Sequence, residues 1–161
     1  MVLRLGAAIC GTAILLACSP VAVAKTSHSD DSSNGASIVG AASMYDPNHP
    51  GYREGGQETS NGERYNPAAW AAAIQTDLRT KFGGVHHGAR AAYALVESGG
   101  KKAIIKINDV GPLKPGRVID FDRQAMRYFD PSLQRGVISG VKVTPLHGDH
   151  YTTGPVDGGA Q

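Results

Sequence analysis

At 161 residues, with 41% hydrophobic and 19% charged residues, the chain has the length of one globular domain and enough apolar residues to build a core. Lys and Arg number 16 against 14 Asp and Glu. That near balance leaves no electrostatic footprint for nucleic acid and no steering onto a strongly acidic surface.

Residues 1–24 form a secretory leader. A short basic start ending at Arg4 precedes an uncharged apolar run over 5–17, and Ala22-Val23-Ala24 gives a cleavage pattern before Lys25. The apolar run falls short of the roughly 20 residues that span a bilayer. A second reading competes: Leu15-Leu16-Ala17-Cys18 resembles a lipobox, with Cys18 as the lipidated mature N-terminus. Both readings export the chain, to the periplasm, to the outer membrane through a lipid anchor, or to the medium. Membrane contact is then limited to the leader or that anchor. Cys10 and Cys18, the only cysteines, lie in the leader, so the domain has no disulfide and relies on its core.

Residues 25–36 are polar, rich in Ser and Asp, and read as a disordered tether. The folded domain is expected over 37–146. Strands are predicted at 38–45, 69–75, 91–97, 102–108, 117–121 and 137–144. The run KAIIKIN at 102–108 is the strongest because it is rich in β-branched residues. The alanine-rich 69–75 could equally begin a helix. Gly99-Gly100 makes a tight turn, and the glycine-rich 80–90 reads as a loop. A helix is predicted over 122–129, with Asp122 as cap, Ala125, Met126 and Phe129 on one apolar face, and Pro131 as the stop. Residues 147–161 read as a flexible tail. Six short strands separated by turn residues make an all-β barrel or sandwich. The expected state is a monomer.

Three segments could carry chemistry. In Thr59 to Pro67, the turn dipeptide Asn61-Gly62 presents Glu63 at a loop tip, either as a working carboxylate or as an ordinary surface glutamate. In Lys106 to Pro112, an apolar strand ends in Asn108-Asp109 before Gly-Pro. A carboxyl group that loses water there can donate a proton to a leaving oxygen, though Asp109 could equally cap a turn. In Pro115 to Phe121, Arg117 either pairs with Asp120 as scaffold or contacts a carboxylate or sugar. Glycosidic cleavage needs an acid and a second carboxylate as base or charge stabiliser, and Glu63 with Asp109 supplies such a pair. His147 and His150 are too few ligands for a zinc site, and no metal is expected. Tyr45, Tyr52 and Tyr65 could stack on sugar rings, whereas Trp70, within an apolar run, reads as core.

The segments Ala42 to Tyr45, Thr59 to Pro67, Lys106 to Pro112 and Gly116 to Phe121 occur in the order found in the rare lipoprotein A (RlpA) family, and the final Gly-Val-Lys-Val strand also matches. The resemblance spans about 39–146. It implies a six-stranded double-psi β-barrel with one or two short helices, a fold shared with expansins. It also implies a lytic transglycosylase that cleaves the MurNAc–GlcNAc bond of peptide-poor peptidoglycan glycan strands, leaves a 1,6-anhydro end and uses no cofactor. The family's catalytic aspartate falls on Asp109 as general acid and then base, and its supporting glutamate on Glu63. Tyr45, Asn61, Tyr65, Asn108 and Arg117 are then the expected substrate contacts. The chain departs from the family where a histidine is usual eleven residues after the glutamate, a position held here by Ile74, and where the arginine after the aspartate is Val110. His86 and His87 in a longer loop are poor candidates to substitute. The readings therefore remain a transglycosylase, a non-catalytic expansin-like polysaccharide-binding module, and more remotely an effector or inhibitor that uses the barrel for protein contacts.

Overall fold

The structure, a computed structural model, describes residues 35–50 and 56–156; the leader with Cys18, Tyr52 and residues 157–161 lie outside that range. Strands β1 (Ile38–Tyr45), β2 (Ala71–Gln75), β3 (Ala92–Ser98), β4 (Lys101–Gly111), β5 (Arg117–Asp122) and β6 (Val137–Leu146) follow one another, with a 3-10 helix (Thr76–Phe82) after β2 and α1 (Arg123–Phe129) before β6. The hydrogen-bonded order β2-β5-β1-β6-β3-β4 closes because β4 returns to β2. Pairs β1–β5 and β2–β4 are parallel, and the other four are antiparallel. This is the all-β, six-stranded double-psi β-barrel expected from the sequence, and closure leaves no open edge among these six strands.

The core follows from period-two alternation along β4. Ala103, Ile105 and Ile107 are fully buried and meet Ile74, Ile119, Phe121 and Val143 inside the barrel. The alternation then breaks. Ala72 pairs with Ile107 and Ala73 with Asp109, so Asn108 is an extra residue in the ladder. Such a bulge re-aims the side chains around it, and here it buries Asn108 while leaving Asp109 half-buried. A second irregularity lies in β1 at Gly40, where a side chain would sit 2.5 Å from Val118, so the approach of β5 requires glycine.

Three local features differ from expectation. The chain after β2 winds into the 3-10 helix, and its turn residue Gly83 (φ 71°) is where the loop begins. Asp122 occupies the N-cap position just before α1, but its side chain makes no capping hydrogen bond. The stretch after β6 is docked as far as Val156. There β7 (Gly154–Pro155) pairs with β4, Val156 N–H donates to the Lys102 carbonyl at 2.9 Å, and the Tyr151 ring lies 5.4 Å from that of Tyr93. Composition signals only that such a stretch is polar; main-chain pairing and one aromatic contact hold it.

Candidate functional site

Two clefts flank the bulge in β4. The first, of about 340 Å³, is lined by Asp109, Asp120, Ala73, Tyr45 and Glu58. Asp109 and Asp120 pair with Ala73 from its two sides, which brings the two aspartates to the same stretch of β2. Asp109 Oδ1 accepts three hydrogen bonds: from Ser60 N–H (2.9 Å), from the Ser60 hydroxyl (2.5 Å) and from Val110 N–H (2.8 Å). Its Oδ2 accepts none from the described residues. Asp120 is 8% exposed, and its Oδ1 has no hydrogen-bond partner among them. Burial pushes the Asp120 carboxyl above its ordinary value; Ser43 and Arg117 pull it back, and Asp109 adds to the rise.

The second cleft, of about 470 Å³, is lined by Glu63, Asp122, Lys106, Asn108 and Trp70, with Thr153 from the docked C-terminal stretch. Lys106 Nζ donates to Glu63 Oε1, and Asn108 Nδ2 donates to Oε2 at 3.1 Å. Burial pushes Glu63 up, but the hydrogen bonds from Lys106 and Asn108 outweigh it and hold the carboxyl below its ordinary value. Asp122 is the opposite case. It is 4% exposed, and burial, with the nearby Asp109, Asp120, Asp46 and Glu63 adding, pushes its pKa up to about 7.

One turn serves both clefts. Asn61 Oδ1 accepts from the Thr59 hydroxyl (2.7 Å) and from Glu63 N–H (3.1 Å), and Gly62 takes φ 91°, open to glycine at no steric cost. The turn is stitched to β4 by Ser60 to Asp109, by Asn61 N–H to the Asn108 carbonyl (3.1 Å), and by Glu63 to Asn108 and Lys106. Glu63 and Asp109 are thus tied together through this turn, yet they line separate clefts.

The remaining expected contacts divide. Tyr45 lines the Asp109 cleft, its hydroxyl donating to the Gly56 carbonyl. Tyr65 is only 6% exposed; it packs edge-on to Tyr45 at 5.5 Å and donates to the Tyr45 carbonyl, supporting the cleft from beneath rather than offering a face. The Asn61 oxygen is used within its turn, and Asn108 is buried and grips Glu63. Arg117 lines neither cleft and, among the described residues, makes no ion pair with Asp120. Ile74 is fully buried in the core. His87 lies against Gly62 and 3.9 Å from Glu58, and His86 lines a separate hollow of about 530 Å³. That hollow is larger than either cleft, but no carboxylate lines it, so it cannot supply the acid of a glycosidic cleavage.

Sequence reasoning missed Ser60, Lys106 and Asp122, and assigned Asp120 to scaffold. Three of these lie inside the segments already singled out. Asp122 carried no signal beyond its place before a helix. Trp70, taken as core, does pack against it, but it is half-buried and also lines the Glu63 cleft.

The family model described as lytic transglycolase matches residues 37–143. Over 88 residues the chain is 36% identical to a probable endolytic peptidoglycan transglycosylase RlpA of Synechocystis sp. (strain ATCC 27184 / PCC 6803 / Kazusa). That match spans 55% of the chain but only 23% of the relative, so the chain corresponds to less than a quarter of the relative's length. Among solved structures, the Streptomyces papain inhibitor superposes with a TM-score of 0.53 at 17% identity, covering 70% of the chain and 96% of the inhibitor. At that identity the likeness concerns the fold.

Proposed function

We propose, from the premise that the chain belongs to the lytic transglycolase family, that it cleaves MurNAc–GlcNAc bonds in peptide-poor peptidoglycan glycan strands, with Asp109 as general acid and then base. The observation that carries this reading is the setting of Asp109. It stands at a strand bulge, half-buried in a cleft of about 340 Å³, fixed through one oxygen by three donors, with Asp120 buried beside it. Burial, with Asp109 adding to it, raises the Asp120 carboxyl, so a proton is held next to Asp109.

In the reaction so read, the carboxylic acid gives its proton to the bridging oxygen and the C1–O bond breaks. The C6 hydroxyl of the same sugar attacks C1, forming the C1–O6 bond, and its proton returns to the Asp109 carboxylate. No water is consumed, and the product carries a 1,6-anhydro end. Glu63, kept ionised by Lys106 and Asn108, lines the neighbouring cleft rather than that of Asp109, so its fixed negative charge would act on the positive charge developing on the sugar only from across the Asn61-Gly62 turn. Ser60 orients Asp109. The reaction is confined to the wall, which requires export; the leader 1–24, cleaved after Ala24 or lipidated at Cys18, is proposed to supply it.

A second reading is a glycan-binding module that uses the same clefts without cleavage. The observation favouring it is Ile74: the family's histidine position is a core side chain here, and among the described residues no histidine hydrogen-bonds to Asp109 or Glu63. Digestion of purified, peptide-stripped sacculi followed by mass spectrometry separates the two. Release of 1,6-anhydro products establishes the enzyme; retention on sacculi without product establishes the binding module; neither outcome sinks both.

A further inference from the structure

The cleavage just described leaves the hollow of about 530 Å³ unused. Its volume lies within the range of about 300–1,000 Å³ usual for ligand sites. Two segments build it: the chain from Thr80 to Tyr93, and the end of β6 with His147 and Gly148. The lining carries two permanent cations, Lys81 and Arg90, and no carboxylate. Lys81 makes no ion pair among the described residues. Arg90 directs Nη1 to Asp149 at 3.0 Å, which leaves most of the five guanidinium donors to another partner. The same lining presents apolar surface from Phe82, Tyr93 and Leu146. We propose that this hollow binds a stem peptide of peptidoglycan, holding a peptide carboxylate on Lys81 and Arg90 and the methyl groups of its alanines on the apolar lining.

Cations alone would suit any anion; the rest of the lining suits a peptide. His86 Nδ1 lies 2.6 Å from the Gly84 carbonyl, and a carbonyl oxygen only accepts, so Nδ1 carries the proton and donates. In the neutral ring Nε2 is then an acceptor, matched to a peptide N–H. The walls are held in place. Gly84 N–H donates to the Arg79 carbonyl (3.0 Å), Ala89 N–H to the His86 carbonyl (2.9 Å) and the Tyr151 hydroxyl to the His147 carbonyl (2.7 Å). A hollow already formed avoids part of the ordering cost of binding. The loop that walls it also reaches the cleavage site: Gly88 N–H donates to the Asn61 carbonyl at 3.1 Å, and His87 lies against Gly62. One loop thus borders the hollow through His86 and Arg90 and the catalytic turn through His87 and Gly88. A single wall polymer can engage both places, with a peptide-free stretch at Asp109 and a peptide from another stretch in the hollow. The peptide contact takes no part in the chemistry; it keeps the barrel on wall that still bears peptides.

The identity of this ligand rests on the wall reading of the preceding section. The test is co-sedimentation of the full-length protein with three preparations of sacculi: peptide-bearing, peptide-stripped, and peptide-bearing with the carboxyl groups amidated. Wild type should be retained about threefold or more better on the first than on the other two, the scale of one or two exposed charge contacts. The double variant Lys81→Gln/Arg90→Gln should lose that preference and match wild type on stripped sacculi. Its release of 1,6-anhydro product from stripped sacculi should equal that of wild type, which also shows that it folds. Arg127→Gln/Arg135→Gln removes the same charge from residues that do not line the hollow, and should keep the preference. Equal retention of wild type on peptide-bearing and stripped sacculi overturns the site. A preference that survives amidation, or that survives in Lys81→Gln/Arg90→Gln, overturns it as well. So does its loss in Arg127→Gln/Arg135→Gln, because net charge alone then accounts for retention. Failure of wild type to release anhydro product bears on Asp109 and not on the hollow, so the two readings fail separately.

Discussion

Replacing Asp122 by Asn should change how stability depends on pH across the range from about 4 to about 7. The folded-state pKa is raised from 3.8 to about 7, chiefly by burial. Between those values the folded protein holds a proton that the unfolded chain has released, so stability falls as pH rises, and the loss is complete above about 7. At about 1.4 kcal/mol per pH unit, the rise corresponds to about 4 kcal/mol. The substitution keeps the shape of the side chain and cannot ionise. It also sacrifices no cap, because Asp122 makes no capping hydrogen bond to α1. Urea unfolding of wild type and Asp122→Asn should give similar midpoints near pH 4 and diverge on the alkaline side, the variant becoming the more stable by a few kcal/mol at about pH 8. Asp120, also raised, remains in both proteins, so the difference between the curves isolates residue 122. A gap between the two proteins that stays constant across this range would refute the argument that a buried, protonated carboxyl sits at this position.

Three further outcomes follow from the same geometry. Ser60→Ala removes the hydroxyl donor 2.5 Å from Asp109 while leaving the Ser60 N–H in place; an intramolecular hydrogen bond contributes about 0.5–1.5 kcal/mol, so release of anhydro product, followed by mass spectrometry, should slow by about two- to tenfold. Lys106→Met takes from Glu63 the hydrogen bond that most offsets its burial, and carbon-detected NMR titration should show the Glu63 carboxyl moving from below its ordinary value upward. In wild type that lowered carboxyl adds stability above its unfolded pKa, lost as pH falls through the folded one, and the variant should lack this acid limb. Ile105→Ala empties a fully buried site in β4 and should lower unfolding free energy by about 2–5 kcal/mol in urea titrations.

The fold was legible where one physical rule dominated. The β-branched run of β4 and the glycine and proline turns marked strands because alternation and turn chemistry are local properties. The alanine-rich β2 was ambiguous, since its strand state comes from pairing with β4 and β5 rather than from propensity. Docking of β7 depends on contacts with Lys102 and Tyr93, far away in the chain, which no local pattern announces. The site was legible in its residues but not in its grouping. Glu63 and Asp109 stood out in their turn and strand end, yet the extra residue at Asn108 sends them to different clefts, and a bulge leaves little trace in sequence. Asp122 was hidden for a related reason: before a helix an aspartate signals a cap, and only burial among other carboxyls gives it another character.

The proposal that the scissile bond lies at Asp109 is tested most directly by a crystal structure of the Asp109→Asn protein with a peptide-free glycan tetrasaccharide bound. The account predicts a bridging glycosidic oxygen within about 3.2 Å of the residue 109 side chain, a distance at which proton transfer is feasible. A glycan strand that lies elsewhere on the barrel, with the cleft beside Ala73 empty, would contradict it.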